Sequence, residues 1–127
     1  MTSFAHPAVA IGFGAFVLCA ETCLHFEDIV ALTSWLGLPI HDWAAGLFLV
    51  IAGVLSHRNW PAGRPYQTAA WGFMLSLLFG AFVGHWEEWR AGIDAGGWLT
   101  PSWFIGILGG LTAIATAALV TTINRRT

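Results

Sequence analysis

The stretch PSWFIGILGGLTAIATAALVTTI, residues 101–123, contains no Asp, Glu, Lys, Arg or His over its whole length. A helix that crosses a bilayer needs about 20 mostly apolar residues. The apolar residues here are continuous and do not alternate with polar ones, which argues against a strand of a transmembrane barrel. This stretch therefore predicts a membrane-spanning helix.

Three further apolar segments precede it, at about residues 7–32, 40–56 and 66–90. The loops between the segments are short, so consecutive helices should be antiparallel neighbours. The composition agrees, because the chain is 57% hydrophobic and only 9% charged, whereas a soluble domain is about a quarter charged. We expect residues 1–127 to form one domain: an all-α integral membrane four-helix bundle of up-down-up-down topology, with the fourth span at about residues 101–123.

The arginines predict the orientation of this bundle. Arg58 and Arg64 lie between the second and third spans, whereas Arg125 and Arg126 follow the fourth. In a four-span bundle that loop and both termini share one side, and the positive-inside rule makes it the cytoplasmic side. Arg90 is the exception, since it falls on the opposite side with most of the acidic residues.

Tryptophans are placed where an aromatic belt is expected at the two membrane surfaces. The segments HDWAAGLFLV and GRPYQTAAWGFM resemble in a general way those of small bacterial four-span proteins, and we expect the chain to lie in a bacterial inner membrane. The residues assigned to the belt are Trp35, Trp43, Trp86, Trp89, Trp98 and Trp103 on the outer side, with Trp60 and Trp71 on the inner side.

Other classes of function are disfavoured by charge and cysteine content. The net charge is −2 and no cluster of basic residues occurs, so nucleic acid is not an expected partner. Cys19 and Cys23 are too few for a disulfide framework. They lie one helical turn apart on one segment, which is poor geometry for bonding to each other. We interpret them as small packing residues.

The first span carries an unusual polar stripe within LCAETCLHFEDIV, residues 18–30. At helical spacing, Glu21, His25 and Asp28 fall on one side. A charge near the bilayer centre costs at least about 2.5–3.5 kcal/mol. A carboxylate at Glu21 should therefore be neutral, paired or bound to a metal.

Two other spans place matching residues at the same outer level. In the third span, His85 and Glu88 are three residues apart and share a face; the second span begins with His41 and Asp42. Histidine and carboxylate side chains together suit iron, copper or zinc. The sequence thus predicts a metal site, in a redox or membrane-enzyme context, with these ligands: Glu21, His25, His41, Asp42, His85 and Glu88. A variant places haem b between His25 and His85.

Three alternatives stay open beside this hypothesis. Glu21 and His25 could form a proton or ion relay, because intramembrane ionisable residues mark such paths. The chain could instead be an accessory subunit of a larger membrane complex, in contact with other subunits or with copies of itself in a homo-oligomer as well as with the lipid bilayer. No motif identifies a reaction, so enzymatic activity is left undecided. A purely structural role is a third alternative, in which these histidine and carboxylate side chains form hydrogen bonds between helices or lie at solvent-exposed helix ends.

Overall fold

The computed structural model describes residues 4–31, 38–93 and 101–124. Within these ranges the regular structure is entirely helical. The prediction of an all-α protein is confirmed for these ranges, and four of the helices are long and apolar enough to cross a membrane. The helices are α1 (Pro7–Leu24), α2 (Phe26–Ala31), α3 (Ile40–His57), α4 (Gly63–Arg90) and α5 (Pro101–Asn124).

The first span is shorter than the apolar segment predicts. The helix α1 begins at Pro7, which suits a first helical turn because proline has no N–H to leave unpaired. It ends at Leu24, and His25 follows with φ −104° and ψ 18° before the six-residue helix α2 begins. The polar stripe predicted on one continuous helix is therefore divided between the last turn of α1 and α2.

The helices α1 and α3 are in backbone contact through glycine. A Cβ atom on Gly14 would lie 2.5 Å from the carbonyl oxygen of Gly46, so only glycine fits there without a shift of the helices. Leu18 lies against Gly46, whereas Ile11 lies against Gly53. These contacts therefore run in opposite order along the two helices.

The core contains residues of all four long helices, with α1 packed on α3, α3 on α4 and α4 on α5. Trp71 is fully buried there, and the ring of Phe13 meets it edge to face at a centroid distance of 5.2 Å. Trp71 is thus a core residue, and its assignment to the aromatic belt is wrong. Gln67 is also buried, and its Nε2 donates to the carbonyl oxygen of Ala5 at 3.2 Å. This bond links the segment before α1 to α4.

Small residues spaced three or four apart, such as Gly106, Gly109 and Gly110 of α5, can let two helices approach closely in lipid, but they do not do so here. Gly109 faces the ring of Phe82, 3.3 Å from where a Cβ would be. Gly106 and Gly110 are exposed and have no atom within 4 Å of such a Cβ. In the described ranges, the glycines that meet a backbone at under 3.0 Å from such a Cβ are Gly14 of α1, Gly53 of α3, and Gly63 of α4, which lies against Ser56 at the end of α3.

We predict that Gly14→Ala lowers the thermal stability of the detergent-purified protein. The added methyl group must separate two backbones, and overpacking of this kind costs about 1–3 kcal/mol. Gly12→Ala is the matched control, because nothing lies within 4 Å of a Cβ at Gly12 on the same helix. Thermal unfolding followed by circular dichroism should show a drop in Tm for the first variant only. An equal Tm for the two variants would contradict the close contact.

Candidate functional site

A cleft opens between α1 and α5, the first and last of the four long helices. Its volume is about 360 Å³. Met74 and Leu78 of α4, both buried, form its floor. The walls are apolar and come from two helices: Phe16, Val17, Ala20 and Leu24 from α1, and Phe104, Ile107, Leu108 and Leu111 from α5.

Two carboxyl groups interrupt this apolar lining. Glu21 comes from the last turn of α1 and Asp42 from the first turn of α3. The neighbouring residues explain why they meet, because the indole Nε1 of Trp43 donates to the Oγ1 of Thr22 at 3.2 Å. That bond ties the end of α1 to the start of α3. It places an acidic residue from each helix in the same cleft.

Two histidines accompany these carboxyl groups. His25 Nε2 lies 3.6 Å from Glu21 Oε2, and its Nδ1 lies 3.5 Å from Asp28 Oδ2. Asp42 is close enough to His25 and His41 for charge interactions with both. The structure therefore gathers four of the predicted site residues at the joined ends of α1 and α3.

The remaining two predicted residues form a separate pair on α4. His85 Nδ1 lies 3.0 Å from Glu88 Oε2, and the histidine ring stands edge to face against Phe104 of α5, 4.7 Å between centroids. Neither His85 nor Glu88 lines the cleft. The two residues satisfy each other on one helix instead of forming a wall of the cleft.

The prediction of a metal-binding function is wrong. Among residues 4–31, 38–93 and 101–124, no three or more His, Cys, Asp or Glu side chains are grouped so that they could hold a metal ion. The physical reason lies in the pairings, which join residues three or four apart on the same helical segment. His25 and His85 are thereby turned towards carboxylates a few residues away along the chain and not towards a shared point. A role for these residues in some other kind of site stays a prediction, as does haem b between His25 and His85.

The interior next to Glu21 argues against the proton relay. Between Glu21 and the start of α1, the buried residues of this helix are Val17, Gly14 and Ala10. The interior beside them is filled by Trp71 and Phe13. A relay needs polar groups or water along a continuous path. The described part of α1 offers apolar packing there. Partnership with other membrane subunits or with further copies of the chain stays a prediction.

The described residues define a class: an all-α protein with four helices long and apolar enough to cross a membrane, and an apolar cleft that carries carboxyl groups at one end. No family model matches the chain, and neither a curated protein nor a solved structure matches it.

The cleft also contains residues to which the sequence assigns no role in a site. Phe104, Ile107 and Leu111 of α5 line it, and so does Cys23 of α1. Apolar side chains on a spanning helix look alike in sequence whether they face lipid, a core or a cleft. The one usable signal was position, since Cys23 lies within a turn of Glu21. The free thiol of Cys23 is exposed, as is that of Cys19, which does not line the cleft.

We predict that filling the cleft slows chemical modification of Cys23. In a Cys19→Ser background, Ile107→Trp introduces a large ring into the cleft and should reduce the rate of reaction with N-ethylmaleimide. Ile114→Trp is the control, because Ile114 is exposed on the same helix and does not line the cleft. Mass spectrometry of the labelled protein gives both rates. Equal rates in the two variants would contradict the described cleft.

Proposed function

We propose that the chain binds an amphipathic cation in the cleft between α1 and α5: a molecule with an apolar body and a protonated amine at one end. The observation that carries this proposal is the chemistry of the lining, which is apolar except for Cys23 and the two carboxyl residues, Glu21 and Asp42. The volume of about 360 Å³ lies within the range of ligand pockets, about 300–1,000 Å³.

The charge balance of the cleft favours a cation. Glu21 and Asp42 are partly buried, and withdrawing a carboxylate from water is costly unless it is paired. In the described ranges no arginine forms an ion pair with Glu21 or Asp42. The side chain of His25 lies 3.6 Å from Glu21, but it also lies 3.5 Å from Asp28. A ligand ammonium placed between Glu21 and Asp42 would supply the missing positive charge and N–H donors.

The apolar walls suit the rest of such a ligand. Phe16 and Phe104 line the cleft on opposite helices, and aromatic faces attract ammonium groups as well as alkyl chains. Removing apolar ligand surface from water contributes about 25 cal/mol for each Å². The ligand would therefore be held by its tail along α1 and α5, with its head at Glu21.

For the membrane arrangement we propose an up-down-up-down bundle with both termini on the cytoplasmic side. Opposite contact order supports antiparallel α1 and α3, as described above. The contacts between α4 and α5 also run in opposite order along the two helices, since Phe82 meets Gly109 and His85 meets Phe104. Arg58 and the positive-inside rule support a cytoplasmic loop between α3 and α4. Arg125 and Arg126, which the same argument uses, lie outside the described residues, and the bacterial inner membrane stays a prediction.

The ligand proposal predicts a preference among three molecules that share one tail: dodecylammonium, dodecanol and dodecanoate. Titration calorimetry of the purified protein in a non-ionic detergent should show tightest binding of dodecylammonium. Glu21→Gln should weaken that binding roughly 10- to 100-fold, because a charge-assisted hydrogen bond contributes about 1.5–3 kcal/mol. Binding of dodecanol as tight as that of dodecylammonium would contradict the proposal.

Glu27→Gln is the matched control for this experiment. It removes the same charge six residues further along the chain, from an exposed side chain of α2 that does not line the cleft. The control should keep the native affinity for dodecylammonium. Competition by phosphatidylethanolamine, which has a primary ammonium, but not by phosphatidylcholine would identify a membrane lipid as the source of the amine. Lack of competition by both would indicate a free lipophilic amine.

The topology proposal predicts that both ends of the chain face the cytoplasm. Fusion of alkaline phosphatase to either terminus should give an inactive reporter, and fusion of green fluorescent protein a fluorescent one, when the chain is expressed in a bacterium. Fusions within the loop between α3 and α4, next to Arg58, should behave like those at the termini. A reporter that is exported from one terminus only would refute the even number of crossings.

A further inference from the structure

Two neighbouring cavities lie at the end of the bundle opposite the carboxyl groups. The segment before α1, the end of α3, the loop that follows it and the start of α4 meet there. The cavities have volumes of about 240 and 330 Å³. Both are lined by Ser56, Asn59 and Arg64, so Arg64 stands between them. His57 and His6 line the smaller cavity.

This end of the molecule is basic. Arg64 is the one permanently charged side chain that lines either cavity, and Arg58 lies in the adjacent loop. Within the described ranges neither arginine forms an ion pair with a carboxylate. The acidic residues lie instead at the other ends of α1, α3 and α4 or on α2; in the described ranges they are Glu21, Glu27, Asp28, Asp42, Glu87 and Glu88.

The donors around the cavities match a phosphate group. The guanidinium of Arg64 presents paired N–H groups in the geometry that phosphate oxygens accept. The hydroxyl of Ser56 and the amide of Asn59 add further donors. Asn59 has φ 55°, a left-handed conformation that asparagine tolerates, and it turns the loop back over the end of α3. The backbone N–H of Asn59 donates to the backbone carbonyl oxygen of Ser56 at 3.1 Å, which holds these two residues together.

We propose that these cavities bind the phosphate of an anionic phospholipid in the cytoplasmic leaflet. Basic pockets between spanning helices on that side recognise lipid head groups, since the leaflet itself is anionic. Trp60 lines the larger cavity and is 60% exposed, as expected of an indole at the level of the head groups. The site is independent of the cleft between α1 and α5; only the choice of leaflet rests on the proposed topology.

The test compares Arg64→Gln with Arg58→Gln. Both variants remove one guanidinium from the same end of the molecule, but Arg58 lines neither cavity. Phosphatidylglycerol added to the detergent-purified native protein should raise Tm, and phosphatidylcholine should not. Arg64→Gln should abolish the increase, whereas Arg58→Gln should keep most of it. Arg64→Lys, which keeps the charge but not the paired donors, should give an intermediate increase.

Three results would overturn the proposal. Equal loss in Arg64→Gln and Arg58→Gln would mean that diffuse attraction of the basic end causes the stabilisation. An increase with inorganic phosphate as large as that with phosphatidylglycerol would identify a soluble anion as the ligand. A native protein that responds equally to both lipids would show that the head group is not recognised. If Arg64→Gln does not fold, Ser56→Ala replaces it, with a smaller expected loss.

Discussion

The contact between the backbones of α1 and α3 at Gly14 and Gly46 is the constraint on which the rest of the arrangement depends. Because these helices touch without intervening side chains, Trp43 can reach Thr22, and that hydrogen bond aligns the two helix ends. Glu21 then enters the cleft. The face of α1 that packs on α3 is not available to α5. The helices α1 and α5 are consequently separated by the apolar cleft and do not close the bundle against each other.

The spanning helices could be predicted from sequence because their cause is local. An apolar stretch such as residues 101–123 has few alternatives to a spanning helix. The end of α1 was harder to predict, because Phe26, Ile29 and Val30 continue the apolar pattern beyond the break at His25. The pattern records which residues avoid water and not where the backbone leaves helical geometry. Trp71 shows the same limit, since an indole suits both a membrane surface and a buried core.

The site was predicted in part, for a related reason. Helical spacing identified the shared face of Glu21 and His25, and the order of the spans brought Asp42 to the same end. Spacing alone cannot say which neighbouring helix a face meets, or whether a histidine turns towards a residue on its own helix. His85 does the latter with Glu88, and the metal hypothesis failed at that step. The α5 residues that line the cleft are all apolar, so nothing in the sequence indicated that this helix forms one of its walls.

The separation of charge along the helices has a consequence for how the protein is made. On the proposed topology the chain can enter the bilayer as two helical hairpins, α1 with α3 and then α4 with α5. The first hairpin carries across only carboxyl groups and histidines, which can be transferred in neutral form. The second must also move the guanidinium of Arg90, which stays charged and costs at least about 2.5–3.5 kcal/mol at the membrane centre. Translocation of the second hairpin should therefore be the slower step of biogenesis, favoured by docking on a first hairpin already held together at Gly14.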